Sequence, residues 1–438
     1  MKHSDFILRF ERAESKRTYR VFARSATGVA RGLFSIPLAL QKGSELLEEW
    51  WQTLSTSMEN RRYPQGSHSL TLAERAGTEL FHALFRESIL NLLDFEIRRY
   101  KKEPHIGLSL RLHFAVEGQD LEQLGSLPWE LLRDPRAHFP GVQRIQLIRS
   151  IVASHFIRPL PWASPLYVLA VVSHPSDQSA SSLGRDQYFL RQALAREPGV
   201  KLTLLESPTP NELLRSLSEK DFQILHYSGH GAFSGKSQRA SSGLGGFAAE
   251  SLLISEEKLA NLLKVAQSPR LVVLDACYSE SFGGKVTPFA GLAAKLAQSG
   301  VPAIVSMQFP ISDRAAFHFS RAFYARLVAG DPVEAAVSEG RSAIAQEEPQ
   351  EWAMPCLYLQ ASPRELFIPS GRLLDLEGQK RDRHAKLIDK KFRSSLTEPE
   401  QAELLQLQGD LDEADARFYE PIEKKLELVL AKLRQRSR

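Results

Sequence analysis

The feature that most constrains this chain is an alternation of strand-like apolar runs with helical segments between Leu166 and Leu359. The first run, YVLAVVS, is continuously apolar, as a strand buried on both faces should be. Five further runs follow: VKLTLLE, FQILHYS, RLVVLDA, PAIVSMQF and MPCLYLQ, most of them separated by helical patterns. This alternation predicts an α/β domain with a mainly parallel six-stranded sheet that is covered by helices.

The segments on either side of the alternation have different patterns. Residues 1–160 mix short strands with helices, which indicates an N-terminal α+β region, and the proline-rich stretch RPLPWASP is the strongest boundary signal. Residues 371–438 are dense in Leu, Glu, Lys and Arg, with a capping box at TEPE and apolar stripes on both sides of Pro421. We therefore predict three regions, 1–160, 161–370 and 371–438, the last being a helical hairpin or short coiled coil.

Composition and charge exclude several classes of protein. A net charge of +4 over 438 residues gives no reason to expect direct nucleic-acid binding. The two cysteines cannot form a disulfide framework, and no apolar run approaches the ~20 residues that a membrane span needs. The N-terminus, MKHSDFILRF, has too short an apolar run for a signal peptide, so we expect a cytoplasmic protein.

Two runs of the predicted sheet end in polar clusters that carry a histidine and a cysteine. The run FQILHYS leads into GHGAF, which leaves His230 between two glycines. The run RLVVLDA leads into CYSES, which leaves Cys277 two residues after Asp275. Because the carboxyl ends of neighbouring parallel strands meet at one edge of a sheet, we expect His230 and Cys277 to lie together. A thiol beside an imidazole is the arrangement of a cysteine nucleophile.

The backbone around these two residues suits the same chemistry. We expect the N–H groups of Gly231 and Cys277 to hold the oxyanion that forms when the thiolate attacks a carbonyl. Taken singly, each residue has a plainer interpretation, since a cysteine at a strand end often packs as a small apolar side chain and a histidine before glycine is often a loop residue. Their order and placement at two strand ends favour catalysis. No metal or cofactor is needed, and the sequence contains no Walker-type loop, zinc spacing or nucleotide fingerprint.

Taken together, the motifs resemble the CHAT family, which are bacterial caspase-like peptidases related to separase, caspases and paracaspases. The resemblance rests on HYSGHG, VVLDACYS, LPWELLRDP and GVPAIVSMQFPISDRAAFHFSRAFYARLVAGDPVEAAV, and it runs from about Leu127 to Leu359. It implies a caspase-haemoglobinase fold with a dyad of Cys277 and His230. It also implies a regulated protease of bacterial antiviral defence or programmed cell death, with a protein partner that activates it.

Three aspartates near the expected dyad suggest how substrate is recognised. CHAT relatives often have Asn at the position of Asp275, whereas paracaspases and metacaspases, which cut after Arg or Lys, resemble this chain in having an acid there. Separase resembles it at Asp313, in the stretch PISD, and Asp177 in SHPSD is a third candidate. Two carboxylates near the thiol would attract a cationic side chain. The simpler interpretations are a structural hydrogen bond for Asp275 and helix capping beside Ser312 for Asp313.

The sequence thus predicts a cysteine endopeptidase that cuts a protein substrate after a basic residue, Arg in preference to Lys. Cys277 attacks the carbonyl, His230 supplies the proton to the leaving amine, and water hydrolyses the thioester. Two alternatives stay open: a catalytically idle caspase-like scaffold that binds partners through its helical tail, and a hydrolase of non-peptide acyl groups. Self-association through residues 371–438 also stays open, and no contact with a membrane is expected.

Overall fold

The structure is a computed structural model, and it describes most of the chain. The described residues are 2–41, 43–59, 68–103, 106–136, 145–151, 160–162, 165–173, 190–194, 199–206, 208–229, 259–263, 269–275, 290–309, 311–360, 366–369, 380, 383–391, 396–409 and 411. Asp275 and Asp313 are among them, and His230, Gly231, Cys277 and Asp177 are not.

The elements follow the chain order. The strands in the described ranges are β1 (Lys2–Arg12), β2 (Thr18–Arg24), β3 (Val29–Ser35), β4 (Ile106–Phe114), β5 (Ile145–Ile151), β6 (Leu160–Trp162), β7 (Leu166–Ser173), β8 (Val200–Glu206), β9 (Ile224–Gly229), β10 (Leu271–Asp275), β11 (Ala303–Met307), β12 (Pro355–Leu359) and β13 (Phe367–Pro369). The helices are α1 (Glu45–Glu59), α2 (His68–Leu84), α3 (Glu87–Lys102), α4 (Gly118–Gly125), α5 (Pro210–Glu219), α6 (Ala290–Gln298), α7 (Asp313–Val328) and α8 (Val333–Glu347), with 3₁₀ turns at Leu38–Leu40 and Trp129–Leu131. Residues 383–391 and 398–409 are also helical.

One sheet of eleven strands, in the order β3-β2-β1-β4-β5-β12-β11-β10-β9-β7-β8, forms the centre of the described fold. Neighbouring strands are parallel except for the antiparallel pairs β1–β2, β2–β3 and β11–β12. The predicted α/β class is therefore confirmed, and all six runs between Leu166 and Leu359 form strands, β7 to β12. The predicted six-stranded sheet is too small, because β12 also pairs with β5 and so connects to the N-terminal strands.

Contacts divide the chain into two compact units. The first consists of residues 1–160 and 164–367, and the second of 161–163 and 368–438. The N-terminal strands therefore belong to the same unit as the strands that lead to His230 and Cys277. The division of the sequence into regions at 160 and 370 stays a prediction about domains.

The helices that follow β11 are packed tightly against each other. α7 begins at the predicted cap, Ser312, whose hydroxyl accepts the N–H of Ala315 at 3.2 Å. Gly340 on α8 lies against the ring of Phe319 on α7, and a Cβ at Gly340 would come within 2.5 Å of that ring. This close approach requires glycine, and it holds the two helices together near the candidate site. None of the described helices is long and apolar enough to cross a membrane.

Two helices, α2 and α3, replace the single helix that apolar spacing predicts between Ala73 and Tyr100. The break lies between Leu84 and Glu87, and Glu87 has a left-handed φ of 44°. Neither glycine nor proline marks this point in the sequence. The break places the buried ring of Phe85 between those of Phe6 and Phe81, at centroid distances of 6.3 and 5.0 Å, so distant packing rather than local sequence sets it.

The second unit contains a helical hairpin formed by residues 383–391 and 398–409. At the predicted capping box, the N–H and hydroxyl of Thr397 both donate to Glu400, at 3.1 and 3.0 Å. The helix that the sequence predicts beyond Pro421 lies outside the described residues. The buried core of this hairpin is formed by Leu387, Leu396 and Leu404.

A buried arginine connects the motif LPWELL to the strands beside it. Arg149 on β5 is fully buried and donates to both carboxylate oxygens of Glu130, at 3.1 Å to Oε1. It also donates to the hydroxyl of Tyr358 at 3.2 Å and to Oε1 of Gln308 at 3.0 Å. Burial opposes the charge of Arg149, but Glu130, Tyr358 and Cys356 together outweigh it and the pKa of Arg149 is raised.

Glu130 also lies close to a second buried arginine. Nη2 of Arg341 lies 3.6 Å from Oε1 of Glu130, and Nε of Arg341 donates to the carbonyl of Pro355 at 2.8 Å. Burial lowers the pKa of Arg341, with Glu130 acting in the opposite direction. One carboxylate therefore balances two buried cations, and its loss would leave both without a neutralising charge.

We predict that Glu130→Ala destabilises the fold strongly. Removing one partner of a buried ion pair costs about 3–5 kcal/mol, because the remaining charge stays buried without compensation. Urea denaturation followed by circular dichroism measures the change in the free energy of unfolding. Glu122→Ala, on the exposed side of α4, is the matched control and should change the free energy of unfolding by less than about 0.5 kcal/mol. Equal losses for the two variants would contradict the role given to Glu130.

Candidate functional site

The carboxyl ends of β9, β10 and β11 lie at one edge of the sheet, because these strands are parallel neighbours. Asp275, the last residue of β10, is paired in register with Ser228 on β9. In sequence, Cys277 follows Asp275 by two residues and His230 follows Ser228 by two residues. The described strands therefore lead to both predicted dyad residues from paired positions, while His230 and Cys277 themselves lie outside the described residues.

Asp275 lies close to a buried polar pair. Its side chain is 4% exposed, and alternation along paired strands places it on the same face of the sheet as His226. Nδ1 of His226 lies 2.9 Å from the hydroxyl of Tyr324 on α7. Burial, and after it the charge of Asp275, raises the pKa of Tyr324. The acid at the edge of the sheet and the pair inside it are thus electrostatically coupled.

Burial keeps both members of this pair uncharged. It lowers the pKa of His226 to about 4, so the imidazole is neutral at neutral pH, and Tyr324 retains its proton. His226 is a packed residue of β9, with 1% of its surface exposed. Sequence reasoning missed Tyr324 as its partner, since 98 residues separate the two and no local pattern connects them.

Asp313 is the first residue of α7 and is half-buried. The helix cap is formed by the hydroxyl of Ser312, as expected, so Asp313 is not required for that function. Asp313 lies six residues after the end of β11, whereas Asp275 ends the neighbouring parallel strand β10. Their predicted role in substrate binding stays a prediction.

Two buried glutamates fix the start of α7. Glu351 is fully buried and accepts the N–H of Ser312 at 2.7 Å. Oε1 of Glu348, also buried, lies 2.9 Å from Nε of Arg314, and burial raises the pKa of Glu348. Sequence reasoning missed both, because nothing in QEEPQEW distinguishes an acid that folds inward from one that faces water. Together they bind the two neighbours of Asp313, the backbone N–H of Ser312 and the side chain of Arg314.

An aromatic cluster borders the same edge. Phe309, two residues after β11, packs edge-on against Trp50 at a centroid distance of 5.0 Å and stacks on Trp51 at 5.4 Å. Both tryptophans lie on α1, so an N-terminal helix contacts the loop that leads to Asp313. The sequence predicts α1 as a helix but gives no sign of this contact.

Other candidate chemistry is not supported within the described residues. The thiol of Cys356 is fully buried, lies 3.0 Å from the hydroxyl of Ser306, and has a pKa raised by that burial, which makes it a poor nucleophile. Over the described ranges, no group of three or more His, Cys, Asp and Glu side chains is arranged to hold a metal ion.

Comparison with known proteins identifies one family. The family model for the CHAT domain matches residues 74–381, which begins before and ends after the expected range of 127–359. No curated protein matches the chain.

The solved structures that resemble the chain include two of the Saccharomyces cerevisiae separase–securin complex, at 3.0 and 2.6 Å resolution. They match with TM-scores of 0.40 and 0.38 and sequence identities of 11% and 10%. Each match covers 81% of this chain and 30% of the solved chain, so this chain spans less than a third of the length of the chains it matches.

We predict that His226 makes the fold less stable in acid. The unfolded chain binds a proton on this residue below a pKa of about 6.5, whereas the folded chain does so only below about 4. The free energy of unfolding should therefore fall as the pH drops from 6.5 towards 4, by about 2 kcal/mol between pH 7 and pH 5 from this group. Urea titrations at each pH should show this decrease in the wild type and in His68→Gln, an exposed control, but a smaller decrease in His226→Gln. The same decrease in all three proteins would contradict the assignment.

Proposed function

This chain belongs to the CHAT domain family, and from that premise we propose that it is a caspase-like cysteine endopeptidase. The family match, residues 74–381, includes both His230 and Cys277. The caspase-haemoglobinase fold that the sequence resemblance implies agrees with an α/β fold whose central sheet is mostly parallel.

The register between β9 and β10 is the observation that carries the proposal. Ser228 and Asp275 are paired, and each is followed after two residues by a member of the proposed dyad. Parallel strands of α/β proteins present their active residues at their carboxyl ends. The pairing therefore supports a thiol and an imidazole within reach of each other at this edge.

In the proposed reaction, the thiolate of Cys277 forms a bond to the carbonyl carbon of the scissile peptide, and the N–H groups of Gly231 and Cys277 stabilise the oxyanion. His230 then donates a proton to the amine as the C–N bond breaks. Water attacks the thioester, releasing the acid product and returning the thiol. The reaction as written needs no metal or cofactor.

The acids at the sheet edge favour a basic residue before the cut. Asp275 is buried and Asp313 is half-buried, and both belong to the edge where the dyad is proposed. Two carboxylates placed near one another repel, and a cation between them removes this repulsion. The planar guanidinium of Arg has donors on several edges and binds two carboxylates, whereas the ammonium of Lys is a single point charge. We therefore propose Arg over Lys at this position, with Asp177 as a third contributing acid.

The biological setting is proposed on the family resemblance alone. It includes a protein substrate, an activating protein partner and a role in bacterial defence or cell death. The alternative of an idle scaffold would keep the fold and the partner but make no cut, so measurement of cleavage separates the two.

We predict that Cys277→Ala and His230→Ala abolish peptide cleavage while the proteins stay folded. Removal of a nucleophile or its proton donor lowers turnover by at least ~10³-fold. Purified wild type and variants would be incubated with a peptide library, and the cut sites read by mass spectrometry. Cys356→Ala is the matched control, because it removes the chain's other cysteine from a buried site and should keep cleavage. Normal cleavage by Cys277→Ala would reject the endopeptidase proposal.

We predict that cleavage follows Arg most efficiently, then Lys. Fluorogenic peptides that differ only in the residue before the cut would be compared by kcat/KM. Asp313→Asn should lower kcat/KM for the Arg peptide by ~10-fold or more, while reaction of the thiol with a small alkylating reagent is unchanged. Asp221→Asn, at an exposed position away from this edge, is the control. Efficient cleavage after Asp, or an Arg preference that survives both Asp313→Asn and Asp275→Asn, would reject the basic pocket but not the dyad.

A further inference from the structure

The N-terminal strands carry an open face on which arginines alternate with apolar side chains. Across β1, β2 and β3, the register aligns Arg9 with Phe22 and Phe22 with Arg31. Arg20 and Arg24 lie two residues on either side of Phe22 along β2, so they share its face. Phe22 is therefore bordered by four arginines. The row on one side is Ile7, Arg24 and Val29, and the row on the other side is Glu11, Arg20 and Leu33. We call these nine residues the arginine grid.

The arginine grid faces away from the core. The alternate positions on the same strands are buried: Phe6, Leu8 and Phe10 on β1, Tyr19 and Val21 on β2, and Ala30 and Phe34 on β3. On the grid, by contrast, Val29 is 77% exposed and Leu33 is 58% exposed. These two exposed aliphatic side chains flank Arg31 on β3, so the open face combines charged and apolar groups.

The charge of the arginine grid is largely unbalanced. Its one acid, Glu11, lies 2.9 Å from Arg9. Within the described part of the chain, no ion pair involves Arg20, Arg24 or Arg31: Arg20 donates to the carbonyl of Arg12 at 3.3 Å, and Arg31 lies over the ring of Phe22 at 5.5 Å. Three exposed guanidinium groups thus remain available to carboxylates, each with a fork of donors.

We propose that the arginine grid is the docking surface for an acidic, extended segment of a partner protein. Arg20 and Arg24 are four residues apart on β2, which is about 13 Å. Two acids at positions i and i+4 of an extended segment have the same spacing, and an apolar side chain at i+2 lies between them. A segment of the form Glu-x-Val-x-Glu therefore fits two arginines and the ring of Phe22 at once.

Other occupants fit the arginine grid less well. A second copy of the same face would bring arginines against arginines, which repel. Single-stranded nucleic acid binds on rows of aromatic rings, and this face offers one ring, that of Phe22. Arginines and exposed aliphatic side chains without lysine are instead typical of protein interfaces. The inference does not depend on the proposed peptidase activity, because it concerns binding in the absence of substrate.

Binding of two labelled peptides to the full chain would test the proposal by fluorescence anisotropy. The acidic probe is Glu-Thr-Val-Thr-Glu and the neutral probe is Gln-Thr-Val-Thr-Gln, both with blocked termini. The wild type should bind the acidic probe at least ~10-fold more tightly than the neutral one. The triple variant Arg20→Glu, Arg24→Glu, Arg31→Glu should lose this preference, since its grid is acidic.

A matched triple variant separates the arginine grid from the overall charge. Arg75→Glu, Arg98→Glu, Arg215→Glu makes the same change in net charge at exposed helical positions and should keep the wild-type preference. Circular dichroism confirms that both triple variants are folded. Equal effects of the two triple variants, or no preference in the wild type, would overturn the proposal. So would oligothymidylate binding that is tighter than the acidic probe and lost in the grid variant, since the surface would then be a nucleic-acid site.

Discussion

The buried pairing of Arg149 with Glu130 is the interaction on which the first unit depends. Between β5 and β12 the only register pair among the described residues is Arg149 with Tyr358, so few backbone bonds join the N-terminal strands to the rest of the sheet. The side chain of Arg149 makes up for this by contacting Glu130, Tyr358 and Gln308. Gln308 in turn donates to the carbonyls of Ser126 and Leu127 at 3.1 and 2.9 Å. A buried charge network of this kind stabilises a fold only when all of its members are present.

The same network also fixes the segment between β11 and α7, which leads to the candidate site. Gln308 directly follows β11, Phe309 packs on the tryptophans of α1, and Asp313 begins α7 four residues later. The segment between β11 and α7 is therefore held at one end by Arg149 and at the other by Glu351. Support on both sides keeps this segment in one geometry, as the proposed binding role of Asp313 requires.

Local sequence patterns predicted most of the strands and helix starts in the region from Leu166 to Leu359. Apolar runs predicted the six strands β7 to β12, and the capping sequences at Ser312 and Thr397 were each found at the start of a helix. The extension of the sheet through β5 could not be predicted in the same way, because pairing between β12 and β5 joins residues that are 209 positions apart. The break between α2 and α3 is also decided by distant packing, since it places Phe85 between Phe6 and Phe81.

In the candidate site, too, local patterns predicted some features and missed others. Parallel strands predict that Asp275 and Asp313 share an edge with the ends of β9 and β10; the register pairs Asp275 with Ser228 at the end of β9, and the placement of Asp313 in a common site stays a prediction. Neither the burial of Glu351 nor the pair of His226 and Tyr324 could be predicted, since the inward or outward direction of a polar side chain depends on which elements pack there. These residues support the edge rather than carry the proposed chemistry, which is why no motif marks them.

The narrow junction between β5 and β12 has a consequence for how the sheet opens. Strands on either side of it are joined by long ladders, nine register pairs between β1 and β4 and five between β11 and β12. We expect amide hydrogen exchange to proceed as two cooperative blocks that separate at this junction, with the protons of β10 and β11 protected longest. A ligand bound to β1, β2 and β3 would then slow amide exchange first in the block that contains these strands. Any slowing of exchange in the other block would measure the energetic coupling between the two blocks.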